Sequence, residues 1–231
     1  MCRPCLFIAF GLIVGGIAST CGAADKASLE VGKIYFEYNA TDKDLGVHVS
    51  IDGEDWRTLR IVDPKKHVIF NVAGRGGYKK VGLTELFFEG AEPELAHFPL
   101  DKLLALFPAG RYEFKGTTVE GGRIGGMGML SHAIPDGPSV AATVGPGDSV
   151  VISWSAVTGP PKGFPDEPLE IAGYQVIVGE SFQVIVPAQT TMVTVSPEVV
   201  ASLASGEQRF EVLAIATNGN QTLTVGSFTK P

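Results

Sequence analysis

Ile34, Phe36 and Tyr38 alternate with Tyr35, Glu37 and Asn39, and after a polar stretch at residues 41–44 the same period of two returns in Val47, Val49 and Ile51. Successive side chains of a strand point to opposite faces, so the pattern predicts two half-buried strands joined by a turn. His48, Ser50 and Asp52 then fall on the other face, which makes His48 a solvated strand histidine rather than a catalytic one. Gly53 is expected to turn the chain, Leu59 and Ile61 to continue the pattern, and Asp63-Pro64-Lys65-Lys66 to form a type I turn before Val68, Phe70 and Val72. Tyr112 and Phe114 open a further strand, which turns at residues 118–123 toward residues 124–130. The first half of the chain thus reads as short antiparallel strands.

One element breaks the period. Leu100, Leu103, Leu104 and Phe107 recur at the spacing of a helical face, with Pro99 suited to the first turn and Pro108 ending the element. Two glycine-rich stretches invite a ligand-binding reading. GRGGYKK at residues 74–80 carries Arg75, Lys79 and Lys80, but a phosphate cradle needs a helix N-terminus behind it. The apolar residues 83–88 read as a strand, so the stretch is expected to be a solvated loop. Gly121, Gly122, Gly125, Gly126 and Gly128 resemble a dinucleotide fingerprint only in composition, because no helix can follow before the prolines. Close backbone approach or a bulge explains them better.

Residues 131–154, SHAIPDGPSVAATVGPGDSVVISW, form the joint of the chain. Pro135, Gly137, Pro138, Pro146 and Gly147 exclude regular helix and central strand there, and Val150, Ile152 and Trp154 then restart the two-residue period. Beyond them follow IAGYQVIV, FQVIV, TTMVTV, RFEVLAIA and QTLTVGSF, separated by turn residues. The fold class expected is all-β: two tandem β-sandwich domains at residues 25–133 and 138–231, a linker at 134–137, and one short helix in the first domain. In the second, Ser196-Pro197-Glu198 is a helix start, predicting one or two turns over residues 197–203.

The order of these segments, with Trp154 ending the second strand, Tyr174 in the third and the closing FEVLAIATNGNQ, resembles a fibronectin type III domain over residues 138–230. The resemblance implies an immunoglobulin-like sandwich with Trp154 between its sheets. It departs from the family in placing Phe210 where a corner tyrosine is usual, so packing must replace that hydroxyl's hydrogen bond. IYFEYNATDKDLGVHVSIDGEDWRTLRI and GLTELFFEGAEPELAHFPLDKLLALFPAGRYEFKG, within residues 32–132, resemble a domain of uncharacterised exported bacterial proteins that precedes a fibronectin-like module. That resemblance implies lineage and no activity.

Arg3 followed by apolar residues 5–18 and small residues 22–24 predicts a signal peptide cleaved after Ala24, hence a secreted or periplasmic protein. A lipid on Cys21 is disfavoured by the preceding Ala18, Ser19 and Thr20. Cys2, Cys5 and Cys21 all lie in or beside the leader, so the remaining core is expected to stand without disulfides. Losing Arg3 leaves 17 basic against 25 acidic residues, of which residues 134–231 hold 3 and 9. So few cations cannot neutralise phosphates, which argues against nucleic acid as a partner. No later apolar run is long enough to span a membrane.

An enzyme needs a nucleophile with a base, paired carboxylates or spaced metal ligands. HExxH, GxSxG and CxxC are all missing, no two histidines are close in sequence, and no catalytic, cofactor-binding or metal set is assigned. His48, His67, His97 and His132 can meet only through the fold. Asp42, Asp44, Asp52 and Asp55 only loosely resemble a calcium loop and read as turn chemistry. The expected function is a non-catalytic exported binding or interaction protein, its partner another protein or a surface glycan and its fibronectin-like module an interaction unit or spacer. The alternative is a carbohydrate-binding accessory protein or an extracytoplasmic enzyme, with Trp56, Tyr78 and Phe164 as ligand contacts. For Trp56 a place in the core is the competing role, and Phe164 is expected at the tip of a proline-stiffened loop, residues 158–168.

Overall fold

The computed structural model describes residues 26–231; the signal peptide and cleavage site predicted from the sequence lie outside the described residues. The fold is all-β. Strands β1 (Lys26–Ser28), β2 (Val31–Asn39), β3 (Asp44–Val62), β4 (Val68–Ala73), β5 (Leu83–Glu89), β6 (Gly110–Thr118) and β7 (Arg123–Leu130) enclose the first core, together with helices α1 (Tyr78–Val81) and α2 (Leu100–Leu106). Strands β8 (Val140–Val144), β9 (Val150–Trp154), β10 (Ile171–Val178), β11 (Phe182–Pro187), β12 (Met192–Val195), β13 (Glu207–Ala216) and β14 (Gln221–Thr229), with helix α3 (Pro197–Ser202), enclose the second.

The predicted turn at Gly53 is not made. β3 runs on through it for 19 residues, and register shifts at Asp52/Trp56 and Trp56/Thr58 bend it instead. Its first part pairs with β2 and β5 and its last part with β4 and β6, so the sheet folds over along this one strand. Gly53 serves by being small: a Cβ there would lie 2.9 Å from Leu29 Cδ2. The shifts put Trp56 inward out of phase with Val49 and Ile51, and its ring is completely buried. The sheet closes on itself where β1 leads into β2, the Leu29 N–H donating to Gly125 O (3.0 Å) and the Glu30 N–H to Asp52 O (3.0 Å). A Cβ on Gly128 would lie 3.0 Å from Gly32 O, so the glycines of β7 mark close approach.

α2 buries Leu103 and Leu104 in the first core, as the helical spacing predicts. The glycine-rich residues 74–77 are followed by the single turn α1, a second helix in this half that the sequence does not announce. In the second half, three strands in the order β12-β9-β8 face β14-β13-β10-β11, a seven-stranded sandwich. Val150, Ile152 and Trp154 point inward, and the Trp154 ring lies 5.4 Å from that of Tyr174. Phe210 is buried against Phe228 at 6.3 Å, so packing occupies the corner position.

The two cores share one sheet. β14 would be the open edge of its four-stranded layer, but it pairs in parallel with β2, matching Gln221 to Glu37, Thr222 to Tyr38 and Leu223 to Asn39. Residues 131–137 lie along this seam. The buried Asn220 accepts the Phe36 N–H (2.8 Å) and donates to Ser131 O (2.9 Å) and Ala133 O (2.8 Å), while Asn218 donates to Ala133 O (2.8 Å). Every hydrogen-bonding atom of the Asn220 amide group has a partner.

Candidate functional site

Glu37, His48 and Glu92 meet on the outer face of β2 and β3. Tyr35 and His48 are cross-strand partners, as are Glu37 and Gly46, and a Cβ on Gly46 would lie 2.6 Å from Glu92 Oε1. The missing side chain at position 46 therefore lets the Glu92 carboxylate sit over the strand beside His48. His48 is buried, 4% exposed, between Tyr35 (ring centroids 5.3 Å apart) and Phe87 (6.0 Å). Its Nε2 lies 3.0 Å from Glu92 Oε1 and its Nδ1 4.0 Å from Glu89 Oε2. This corrects the expectation of a solvated histidine, because neighbouring side chains and the segment after β5 cover that face.

The electrostatics of the cluster follow from burial. Burial pushes the Glu37 carboxyl up, against the Gln221 side-chain amide that donates to it and against His48, with Glu92 and Glu211 adding to the rise. Tyr35 is pushed up to about 12, first by burial and then by Glu37 and Glu89. Asp44 is also raised, chiefly by burial and next by Glu92, and its Oδ1 is buried without a hydrogen-bond partner. The nearest donor atoms of Glu37, His48 and Glu92 all lie within 4.8 Å of one another. Period-two reasoning missed the cluster because Glu92 arrives from an irregular segment, and only Glu37 and His48 share a predicted hairpin.

The other candidates are dispersed. His67 bonds Asp63 (3.1 Å), His97 pairs with Glu94 (3.3 Å) and His132 donates to Phe107 O (2.9 Å), so the four histidines do not converge. Among the described residues the four aspartates form no common site. Asp42 accepts from the Asn39 side chain at 2.9 Å, which is turn chemistry. Trp56 has no face open to a sugar. Tyr78 is 61% exposed on α1. Phe164 is not at an open tip: its ring lies 4.9 Å from Tyr38 and packs on the first core beside Leu100 and Leu104.

A broad open groove of about 1130 Å³ lies elsewhere, across β3, β6 and β7, lined by Thr58, Arg60, Asn71, Glu113, Lys115 and Arg123 among others. Glu113 is lowered to about 2, first by its hydrogen bonds from Lys115 and Lys66. Lys66 and Arg111 approach it at 3.0 and 3.1 Å.

No family model and no curated relative matches the chain. Solved structures similar to it include the spore cortex lytic enzyme SleM of Clostridium perfringens (14% identity, TM-score 0.32, 41% of this chain and 28% of that one). A 1.5-MDa bacterial ice-binding adhesin matches at 14% identity and TM-score 0.29, over 90% of this chain and 64% of the other. A two-domain fibronectin type III segment of chicken tenascin matches at 13% and 0.27, over 87% and 98%. The chain thus spans about a quarter of the lytic enzyme and under two thirds of the adhesin structure. Among the described residues no helix is long and apolar enough to cross a membrane.

Proposed function

We propose that this is a non-catalytic exported binding or interaction protein of two β-sandwich units divided at residues 134–137, the second resembling fibronectin type III and serving as interaction unit or spacer. The observation that carries the reading is the chemistry of the groove across β3, β6 and β7. Arg60, Asn71, Lys115 and Arg123 offer hydrogen-bond donors to a ligand, while its carboxylate, Glu113, is held ionised by three cations. A carboxylate lowered to about 2 cannot serve as a general acid near neutral pH and is a poor base. Binding is what such a surface does well. A glycan is the second ligand class; the side-chain donors of Arg60, Asn71 and Arg123 favour it, whereas burial of Trp56 removes the strongest stacking platform.

The test is site-specific photo-crosslinking in the producing cell, with the photoreactive residue at Met127 in the groove and at Ile185 on the free edge of β11. A discrete adduct from either position, absent when the probe is at Glu120, is expected. Hydrolysis of an envelope polysaccharide by the purified protein, lost in Glu113→Gln, would contradict the reading.

A further inference from the structure

We propose that Glu37, His48 and Glu92 form a site for a divalent transition metal of the zinc class, seated beside the seam between the two cores. The inference is independent of the binding function. The three donors come from three segments, β2, β3 and the stretch between β5 and α2, and nothing in local sequence requires their donor atoms to gather within 4.8 Å.

Charge supplies the first reason. Glu37, Glu89 and Glu92 surround one imidazole, and among the described residues no lysine or arginine forms an ion pair with any of them. Even a protonated His48 would leave a surplus of negative charge around a buried imidazole. A bound cation is the component that would balance it.

The second reason is that the ligands are held in place. The rings of Tyr35 and Phe87 fix the plane of His48, with Nε2 facing the Glu92 carboxylate at 3.0 Å. Gly46 provides the slot in which that carboxylate sits. Gln221, reaching over from β14, donates to Glu37 Oε2 and orients the carboxylate from outside, the arrangement that outer-shell partners give metal ligands. Asp44 lies on the same face beyond Gly46, and its Oδ1 has no hydrogen-bond partner.

The donor set selects the ion. One imidazole nitrogen with two carboxylates, and no thiolate, suits zinc or manganese. Calcium takes six to eight oxygens, and magnesium keeps most of its water. Bonds of about 2.0–2.2 Å at tetrahedral angles set donors roughly 3.4 Å apart, so the Glu92 carboxylate must give up its 3.0 Å bond to His48 and shift by a few tenths of an ångström. Glu92, with a third of its side chain exposed, is the ligand with room for that small adjustment. The ion would clip residues 90–99 onto β2 and β3 next to Gln221, so that metal binding and the seam share a ligand.

The test uses the purified protein, stripped with chelator and titrated with zinc chloride and with manganese chloride by calorimetry, with cobalt(II) absorption reporting the coordination of the bound ion. One equivalent of zinc is expected, with a rise in melting temperature. Glu92→Gln, isosteric and on a surface segment, should weaken binding by roughly tenfold or more with unchanged circular dichroism, and Gln221→Ala by a smaller factor. His48→Ala should abolish the cobalt spectrum. Absence of stoichiometric uptake of both zinc and manganese would overturn the proposal, as would zinc uptake that is undiminished in Glu92→Gln and His48→Ala.

Discussion

The backbone N–H of Phe36 donates to the side chain of Asn220 at 2.8 Å, 184 positions further along the chain. Phe36 belongs to the first core, and Asn220 precedes the last strand of the second half. The same amide holds Ser131 and Ala133, so the proline-rich joint is pinned along the seam rather than left as a free tether.

Asn220→Ala should therefore destabilise the protein out of proportion to its size. It leaves the buried Phe36 N–H and a share of two carbonyls without partners, at about 1–3 kcal/mol for each group left unsatisfied. Chemical denaturation monitored separately in each half should show both transitions moved. Asn220→Asp should also be destabilised, because it loses the donors to Ser131 and Ala133.

Phe164 is the second tie between the halves. Its loop belongs to the C-terminal sequence, yet the ring packs on the first core, 4.9 Å from that of Tyr38. Phe164→Ala should cost about 1–2 kcal/mol for a half-buried aromatic and should leave the second core's own packing intact. Near-ultraviolet circular dichroism together with urea denaturation would measure both effects.

Trp154→Ala removes a large buried side chain from the second core, where the ring meets Tyr174 at 5.4 Å. The expected cost is about 3–5 kcal/mol, against about 5–15 kcal/mol for a whole domain. A shift of the corresponding transition below about 1 kcal/mol would be that of a surface residue and would contradict the packing.

Acid stability should depend on Glu113. Its carboxyl is lowered from the ordinary 4.5 to about 2, so its contribution is present above 4.5 and is lost as pH falls toward 2. Asp63, held low by bonds from His67 despite the opposing effect of burial, acts in the same direction. The raised Glu37 and Asp44 act oppositely, their ionisation costing stability as pH rises through their folded values. Glu113→Gln should flatten the acid limb in a series of denaturation curves, with the effect shrinking in high salt because the cluster is solvent-exposed.

Where each face of a strand has one environment, the structure follows the sequence pattern closely. Val150, Ile152 and Trp154 lie inward as their alternation predicts, and Leu103 and Leu104 are buried as helical spacing requires. Pattern fails where geometry is non-local. The bend of β3 comes from register shifts against β4, β5 and β6, which leave no mark in residues 53–57 beyond a permissive glycine. His48 looks solvated until Glu92, Phe87 and Tyr35 close over it. The parallel pairing of β2 with β14 joins strands far apart in the chain, and no local periodicity encodes which edges meet.

That pairing is the centre of the account, and amide hydrogen exchange on the intact protein tests it most directly. The amides of Phe36, Ala40 and Val225 donate across the seam, to Asn220 Oδ1, Leu223 O and Thr41 Oγ1, at 2.8, 2.9 and 2.9 Å. Those of Phe36 and Ala40 should exchange as slowly as amides in the ladder between β10 and β13, because opening them requires the two cores to part, whereas Val225, held by an exposed hydroxyl, should exchange sooner. Exchange of Phe36 and Ala40 at loop-like rates, with the β10–β13 ladder still protected, would show that the cores separate in solution and that the shared sheet does not hold them together.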